Sequence, residues 1–261
     1  MIRGFYNAAS GMITQQRRTD VLNDNLANVT TPGYKADHAS VRAFPNMLIQ
    51  AMNTNSRQPI GELNTGVYMQ ERTADFRQGD LRETNVGTDI ALLQGIVGEG
   101  SLLFVVSDDD GEPVYTRNGN FTVDGNGYLT TSNGNRVLGT DGEPLLVTNE
   151  WFSVNDMGTV VDHVGEEVGQ INIAYAEDHH DLVKAGEGLL RYNDGELPSA
   201  VEDDALTYVL QQGFLEQSNV DPLQTMTELM SAHRLYEANQ TILQAYDQNM
   251  QRAANDIGKL G

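Results

Sequence analysis

The last forty residues constrain this chain most. Between residues 221 and 260, Leu229, Ala232, Tyr236, Asn239, Leu243, Tyr246, Met250, Ala253, Ile257 and Leu260 recur at alternating steps of three and four. That spacing lines one seam of a long helix built to lie against other helices. The start is marked. Asp221 can cap free backbone N–H groups, and Pro222 suits the first helical position, where a missing N–H costs nothing. Gln224 stands where a capping box places a carboxamide that reaches back. Gly258 and Gly261 bracket the end. A helix over 222–257 is on the order of 50 Å long at 1.5 Å per residue. Its seam is longer than a small domain covers, so it predicts helical partners.

A matching seam lies at the other end of the chain. Phe5, Ala8, Met12, Gln15, Thr19, Leu22, Leu26 and Val29 follow the same alternation. Gln15 and Thr19 interrupt the apolar run, which weakens a coiled coil but narrows the registers it can adopt. Gly11 costs about 1 kcal/mol against alanine inside a helix, which points to a close backbone approach. Pro32 and Gly33 end the helix. Two readings follow from the spacing: the helices pair inside one monomer, or both seams contribute to a polymer. The second makes the sharper prediction.

Charge separates the ends from the middle. The 261 residues carry a formal charge of -21. Residues 1–36 are close to neutral at +2 and residues 214–261 at -3, which leaves -20 for the centre. Near-neutral ends can crowd together, whereas an acidic centre stays hydrated and repels its copies. No basic stripe is present, so nucleic acid is not an expected partner. No apolar run reaches the roughly 18 residues of a membrane span, so no membrane insertion is expected. The first thirty residues hold Arg3, Arg17, Arg18 and Asp20 and lack the apolar block of a secretory signal. Cysteine is absent, which excludes disulfides and thiolate metal sites and suits export of an unfolded chain to an oxidising exterior.

The middle changes period. Residues 47–52 form a short apolar patch between Pro45 and Pro59 that suits one or two helical turns, and residues 52–60 read as an exposed loop. From Val67 the period moves toward two. Between Asp89 and Tyr192, strand-like runs at 102–106, 114–116, 121–123, 128–131, 136–138, 145–147, 159–161 and 171–176 are separated by tight turns. Asn118-Gly119, Asp124-Gly125, Asn133-Gly134 and Asp141-Gly142 supply the positive φ angles that hairpins demand. Residues 206–210 read as a returning strand. The expected fold is α+β, with a mainly-β antiparallel meander or sandwich inserted between two long coiled-coil-type helices. The expected divisions are an N-terminal helix and signature loop (1–36), a connecting β segment (37–88), an acidic β domain (89–205), a returning segment (206–220) and the C-terminal helix (221–261).

Motifs for catalysis are weak. Asp108-Asp109-Asp110-Gly111 and Asp124-Gly125-Asn126-Gly127 lack the ligand spacing and closing glutamate of a calcium loop, and hairpin turns account for them. Glu177-Asp178-His179-His180-Asp181 gathers metal-ligating types, but neighbours in sequence rarely face one ion, and a solvated loop is expected. Gly95, Gly98 and Gly100 lack the rest of a nucleotide loop. His233 lies beside the helical seam, where packing explains it. No GxSxG elbow occurs, and no pair of carboxylates stands out as a glycosidase couple. No cofactor is expected.

Specific motifs carry a family resemblance. Leu26-Ala27-Asn28-Val29-Thr30-Thr31-Pro32-Gly33-Tyr34-Lys35 resembles the N-terminal signature of flagellar rod and hook proteins. Ser218-Asn219-Val220-Asp221, followed by Tyr236-Glu237-Ala238-Asn239, resembles their C-terminal signature. Phe76-Arg77-Gln78-Gly79, Asp89-Ile90-Ala91-Leu92 and Tyr115-Thr116-Arg117-Asn118-Gly119-Asn120-Phe121 are similar to the family's middle. The usual glycine–aromatic–aromatic strand is replaced by Gly100-Ser101-Leu102-Leu103-Phe104. A single β domain implies the distal-rod type, and Arg42-Ala43-Phe44-Pro45 is similar to hook–basal-body proteins of Gram-positive bacilli. The resemblance implies a non-enzymatic axial subunit that leaves through the flagellar export apparatus. It implies head-to-tail assembly into a helical homopolymer beside other rod and hook proteins, in the part of the basal body that crosses the cell wall. The alternatives are a wall-associated glycan hydrolase and a calcium-binding β protein with adhesive helices.

Overall fold

The computed structural model describes every residue except Met1, Asn46, Thr54, Asn55, Asn64, Glu99, Asp109, Asp110, Glu187, Asp194, Asp204 and residues 259–261. Two helices, α1 (Ile2–Ala27) and α2 (Pro222–Gly258), flank a mainly β region. Its strands run β1 (Asp37–Ala43), β2 (Met47–Asn53), β3 (Ser56–Leu63), β4 (Val67–Ala74), β5 (Leu81–Glu83) and β6 (Ile90–Gln94). They continue as β7 (Ser101–Ser107), β8 (Pro113–Thr116), β9 (Phe121–Val123), β10 (Leu129–Thr131), β11 (Arg136–Val137), β12 (Ser153–Val154) and β13 (Thr159–Val161). The last are β14 (Glu167–Gln170), β15 (Ile173–Ala176), β16 (Leu182–Gly186), β17 (Leu189–Tyr192), β18 (Tyr208–Gln212) and β19 (Phe214–Glu216). The α+β class expected from periodicity is the one observed. The chain forms two compact units. The first holds Met1–Ala27, Asp37–Thr73 and Asp221–Gly261, and the second holds Asn28–Ala36 and Ala74–Val220.

In the first unit the helices lie antiparallel along each other. A Cβ on Gly4 would fall 2.1 Å from the Tyr246 hydroxyl oxygen, and one on Gly11 would fall 2.9 Å from Asn239 Nδ2. The close neighbour of Gly11 is therefore a side chain, Asn239, and not the backbone expected from sequence. Arg18 closes the far end with a 3.0 Å ion pair to Glu228. α2 begins as its cap predicts, because Asp221 Oδ1 accepts from the backbone N–H groups of Leu223 at 2.9 Å and Gln224 at 3.1 Å. The expected capping box does not close. Gln224 Nε2 instead donates forward to Glu228 Oε1 at 3.1 Å, where a charged acceptor makes the stronger bond.

α1 stops one turn before Pro32, so Val29, placed in the seam by spacing, lies past the helix end. Asn25 then fixes the chain's return. Its side-chain amide donates to the Asp37 carbonyl at 2.8 Å and accepts from the Asp37 N–H at 2.9 Å, a ladder-like double bond at the start of β1. β1 pairs with β4. Residues 47–63, read from sequence as a helical turn and a loop, form the antiparallel hairpin β2–β3. The polar run 52–60 made the second half read as a loop, and Pro59 and Gly61 belong to the hairpin's second strand. In the ribbon they flank the register shift between Ile49 and Gln50, an irregularity that tolerates both residue types.

The second unit is built around β7. Six consecutive residues, 101–106, are buried, and their side chains alternate between two clusters. Leu102, Phe104 and Val106 enter a cluster with Phe121, Leu129, Val147, Ile171, Ile173 and Leu210. Leu103 and Val105 enter another with Phe76, Tyr115, Leu138 and Leu190. A strand covered on both faces needs a continuous apolar run, not an alternating one. β7 pairs with β8, β11 and β15, and the sheet extends through β17 and β16 on one side and β10 and β9 on the other. β12–β13–β14 form a separate three-stranded sheet. Residues 145–147, expected as a strand, lie beside isolated bridges instead, Leu146 to Tyr128 and the adjoining Pro144 to Leu138. β6 pairs with β18 over five rungs, from Ile90 opposite Gln212 to Gln94 opposite Tyr208, and β5 pairs with β19.

Candidate functional site: helix faces and a buried ionic knot

The seam residues of α2 are taken up inside the monomer. Ala232 is buried, and Leu229, Tyr236, Asn239, Leu243 and Tyr246 are half-buried, while most residues between them are exposed. On α1, Leu22 is buried, Met12 and Leu26 are half-buried, and Phe5 is exposed. The intramolecular pairing weighed against a polymer is therefore present. It does not exhaust the apolar surface. Leu223, Met226 and Met230 stand exposed at helical spacing on one side of the α2 seam, and Leu235 and Ile242 stand exposed one heptad apart on the other. On α1, Tyr6 and Ile13 form a further exposed row seven residues apart. Met250 is 40% exposed, four residues beyond the Tyr246 that meets Gly4. Ile257 lies on α2 and Leu260 falls outside the described residues.

The signature segments serve a different purpose. Asn28 starts a turn in which the Thr31 N–H donates to the Asn28 carbonyl at 3.1 Å and the Thr31 hydroxyl donates to Asn28 Oδ1 at 3.2 Å. Pro32 leads into Gly33, whose φ is +68°. The Gly33 N–H donates to the Glu216 carbonyl at 2.8 Å. A Cβ here would sit 2.4 Å from the Arg117 carbonyl oxygen, so both conformation and space require glycine. The Tyr34 ring lies 4.5 Å under Lys184 Nζ, which also donates to the Lys35 carbonyl. Lys35 then turns inward.

Lys35, Arg117 and Glu216 form a buried ionic knot, with exposures of 5%, 3% and 3%. Glu216 accepts from Lys35 Nζ at 2.6 Å, from Arg117 Nε at 2.6 Å and from the Gly79 N–H at 2.9 Å. Lys35 donates a second bond to the Arg77 carbonyl at 2.7 Å, and Arg117 donates to the Leu92 and Leu102 carbonyls. Burial pushes the Glu216 carboxyl up, but Arg117 and Lys35 outweigh it and hold the group below its ordinary value. Asn219 ties the edge. Its Oδ1 accepts from the Ala36 N–H at 2.7 Å, and its Nδ2 donates to the Asp75 carbonyl at 2.8 Å. Ser218 accepts from the Val220 N–H, and Val220 is buried. By contrast, Glu237 and Ala238 lie on the exposed face of α2.

The structure thus brings Gly33, Tyr34, Lys35 and Asn219 into one place with the Phe76-Arg77-Gln78-Gly79 segment. Periodicity had marked neither Glu216 nor Arg117 as central. The available signal was weak, an arginine after Tyr115-Thr116 and a glutamate after Phe214-Leu215. Gly33→Ala is expected to destabilise the chain by about 2–3 kcal/mol, from the strained φ and the approach to the Arg117 carbonyl. Urea melts followed by far-UV circular dichroism check it; an unchanged midpoint would show that the turn relaxes freely.

Among the described residues, no group of three or more His, Cys, Asp or Glu side chains is placed to hold a metal ion. The Glu177–Asp181 run, expected as a solvated loop, contains a short 3-10 turn (His179–Asp181) in which His179 stacks on Phe76 at 4.5 Å. No helix among the described residues is long and apolar enough to cross a membrane.

Two terminal helices flank an antiparallel β region in the chain, the architecture of a terminal-helix protein with a β insert, and three family models match along it. They are the flagella basal body rod protein (residues 5–35), the flagellar hook protein FlgE/F/G D1 domain (96–190) and the flagellar basal body rod FlgEFG protein C-terminal (211–256). The chain is 44% identical over its whole length to the whole of the flagellar hook-basal body complex protein FlhO of Bacillus subtilis. It is 32% identical to the flagellar basal-body rod protein FlgG of B. subtilis, covering 98% of this chain and 99% of that one. It is 31% identical to FlgG of Borreliella burgdorferi at the same coverage. The chain belongs to the flagellar basal-body rod family.

Proposed function

We propose that this protein is a structural subunit of the distal flagellar rod, one that polymerises head-to-tail into a tube which transmits torque and passes later subunits through its bore. The observation that carries this reading is the apolar surface left over after α1 and α2 have paired. Tyr6, Ile13, Leu223, Met230 and Ile242 are large, exposed and regularly spaced. A soluble monomer gains nothing from such rows, whereas sibling helices packed beside them would remove them from water. A contact of this kind that does not close on itself generates an open helical filament. The knot of Lys35, Arg117 and Glu216 then acts as an internal brace of the subunit, without catalytic chemistry or a cofactor. The coiled-coil pairing, the export route through the flagellar apparatus and the wall-crossing location belong to the same proposal. The relatives lend no support to a glycan hydrolase or a calcium-binding protein.

The direct test is location. Antibody raised against the β unit and bound to isolated basal bodies is expected to decorate the rod segment just below the hook in electron micrographs. Labelling confined to the wall surface or the filament would sink the proposal.

A further inference from the structure

We propose that the turn carrying Trp151 is a docking point for a cationic segment of another protein, with an arginine or lysine side chain laid over the indole. Trp151 is the sole tryptophan of the chain and is 81% exposed, although its neighbour Phe152 is buried. Val164, on the adjoining β13–β14 turn, is 68% exposed. An indole this far into water leaves its aromatic face open to a cation.

The turn is held firmly in this position. Thr148 has φ +63°, a left-handed conformation that a β-branched residue adopts at a cost of about 1–3 kcal/mol, and such strain concentrates at binding sites. The N–H groups of Val147 and Thr148 both donate to the Gly127 carbonyl, at 2.8 and 3.0 Å. Asn149 Oδ1 accepts from the Trp151 N–H at 2.9 Å, and Asn149 Nδ2 lies 3.3 Å from His163 Nδ1. The backbone that carries the indole is thus held in place by the turn, so little main-chain ordering is left to lose on binding.

Charge selects the partner. From Arg136 to Lys184 the sequence contains ten aspartates and glutamates and no lysine or arginine between them. Glu150 adjoins Trp151 and is exposed. The acidic centre of a second copy, which carries -20, would be repelled from such a surface. A neutral glycan would gain stacking but nothing from the carboxylates. A guanidinium or ammonium group gains from both, because tryptophan offers the best aromatic face for a cation and the adjoining Glu150, in a segment without basic residues, favours its approach. Tryptophan paired with arginine is also the usual chemistry of an interface hot spot.

The single tryptophan makes the test direct. The full-length protein is titrated with a tetra-arginine peptide while its indole emission is followed, and in parallel with a peptidoglycan tetrasaccharide and with increasing concentrations of the protein itself. Peptide binding to the Trp151→Ala variant is read by anisotropy of a labelled peptide. The expected results are a saturable emission change with the peptide alone, weakened by salt, and a Kd about tenfold higher in Trp151→Ala. The indole is largely in water, so that variant keeps its fold, which circular dichroism verifies; Trp151→Phe should recover part of the affinity. Equal peptide affinity in Trp151→Ala would reduce the effect to general polyelectrolyte attraction and overturn the proposal. An emission change with the glycan but not the peptide, or with self-concentration alone, would overturn it in favour of a sugar platform or a second copy.

Discussion

A chain that ends at Gln248 is expected to fold much as the whole chain does and yet to leave cells non-motile. The pairing of α1 with α2 reaches Gly4 and Tyr246, two residues from the first residue of α1 and twelve from the last of α2. Residues past Gln248 contribute little to that pairing, and Met250 is 40% exposed. Removing them costs the monomer little burial, on the order of 1 kcal/mol at about 25 cal/mol per Å² of apolar surface. If the overhang is where a sibling helix docks, its loss blocks assembly outright. Deleting all of 222–261 would abolish motility too, but it would also strip α1 of its partner and so confuse folding with assembly. Soft-agar swimming, hook counts by electron microscopy and circular dichroism of the purified variant separate the cases. Normal swimming by the truncated strain would show that the monomer's own helix pair is the whole use of the seam.

Glu216→Ala is expected to cost about 3–5 kcal/mol, the largest loss of stability from any single change in the β unit. The substitution strands Lys35 and Arg117, both nearly dry, without their shared counter-charge. It also removes the acceptor that holds the Gly79 N–H. Replacing Lys35 by Met along with Glu216→Ala should recover part of the loss, since one stranded cation disappears with it. The same carboxyl gives the stability a sign with pH. Its folded-state value lies below the ordinary 4.5, so the folded chain binds fewer protons than the unfolded one between the two values. The stabilisation is complete above 4.5 and falls away as pH drops through the folded-state value. Urea titrations at a series of acid pH values test both statements. A Glu216→Ala midpoint within experimental error of the natural chain would mean that water reaches the knot.

What could be read from the sequence was mostly local. Asp221 and Pro222 announced the start of α2 because a cap is decided within four residues, and Asn133-Gly134 and Asp141-Gly142 announced turns because positive φ needs glycine, whereas at Asp124-Gly125 the positive φ falls on Gly127 and at Asn118-Gly119 the glycine has none. Strand runs such as 121–123 and 159–161 matched β9 and β13. The knot was not legible in the same way. Residues 35, 117 and 216 are far apart in the chain and carry no periodic signal, so the family motifs pointed at Lys35 and Arg117 without revealing that they share one carboxylate. The β2–β3 hairpin was missed because the apolar run 47–52 is too short to separate a strand from a helical turn and the run 52–60 is polar. The seam itself was visible, but spacing alone cannot say whether a seam is filled by its own chain. That required seeing α1 against α2, and it moved interest from Tyr236 and Leu243 to the flanking rows at Leu223, Met230 and Ile242.

The five-rung ladder between β6 and β18 has a consequence for how this architecture can vary. Ile90 sits opposite Gln212, so the chain sets out on its long excursion and comes home at the same rung. The excursion can therefore be lengthened, shortened or exchanged wholesale without shifting where the two neighbouring strands begin and end. One condition is attached. Arg117 lies within the excursion and reaches back to Glu216, so a transplanted insert must bring its own guanidinium to the same spot or arrive in a host whose glutamate has been replaced.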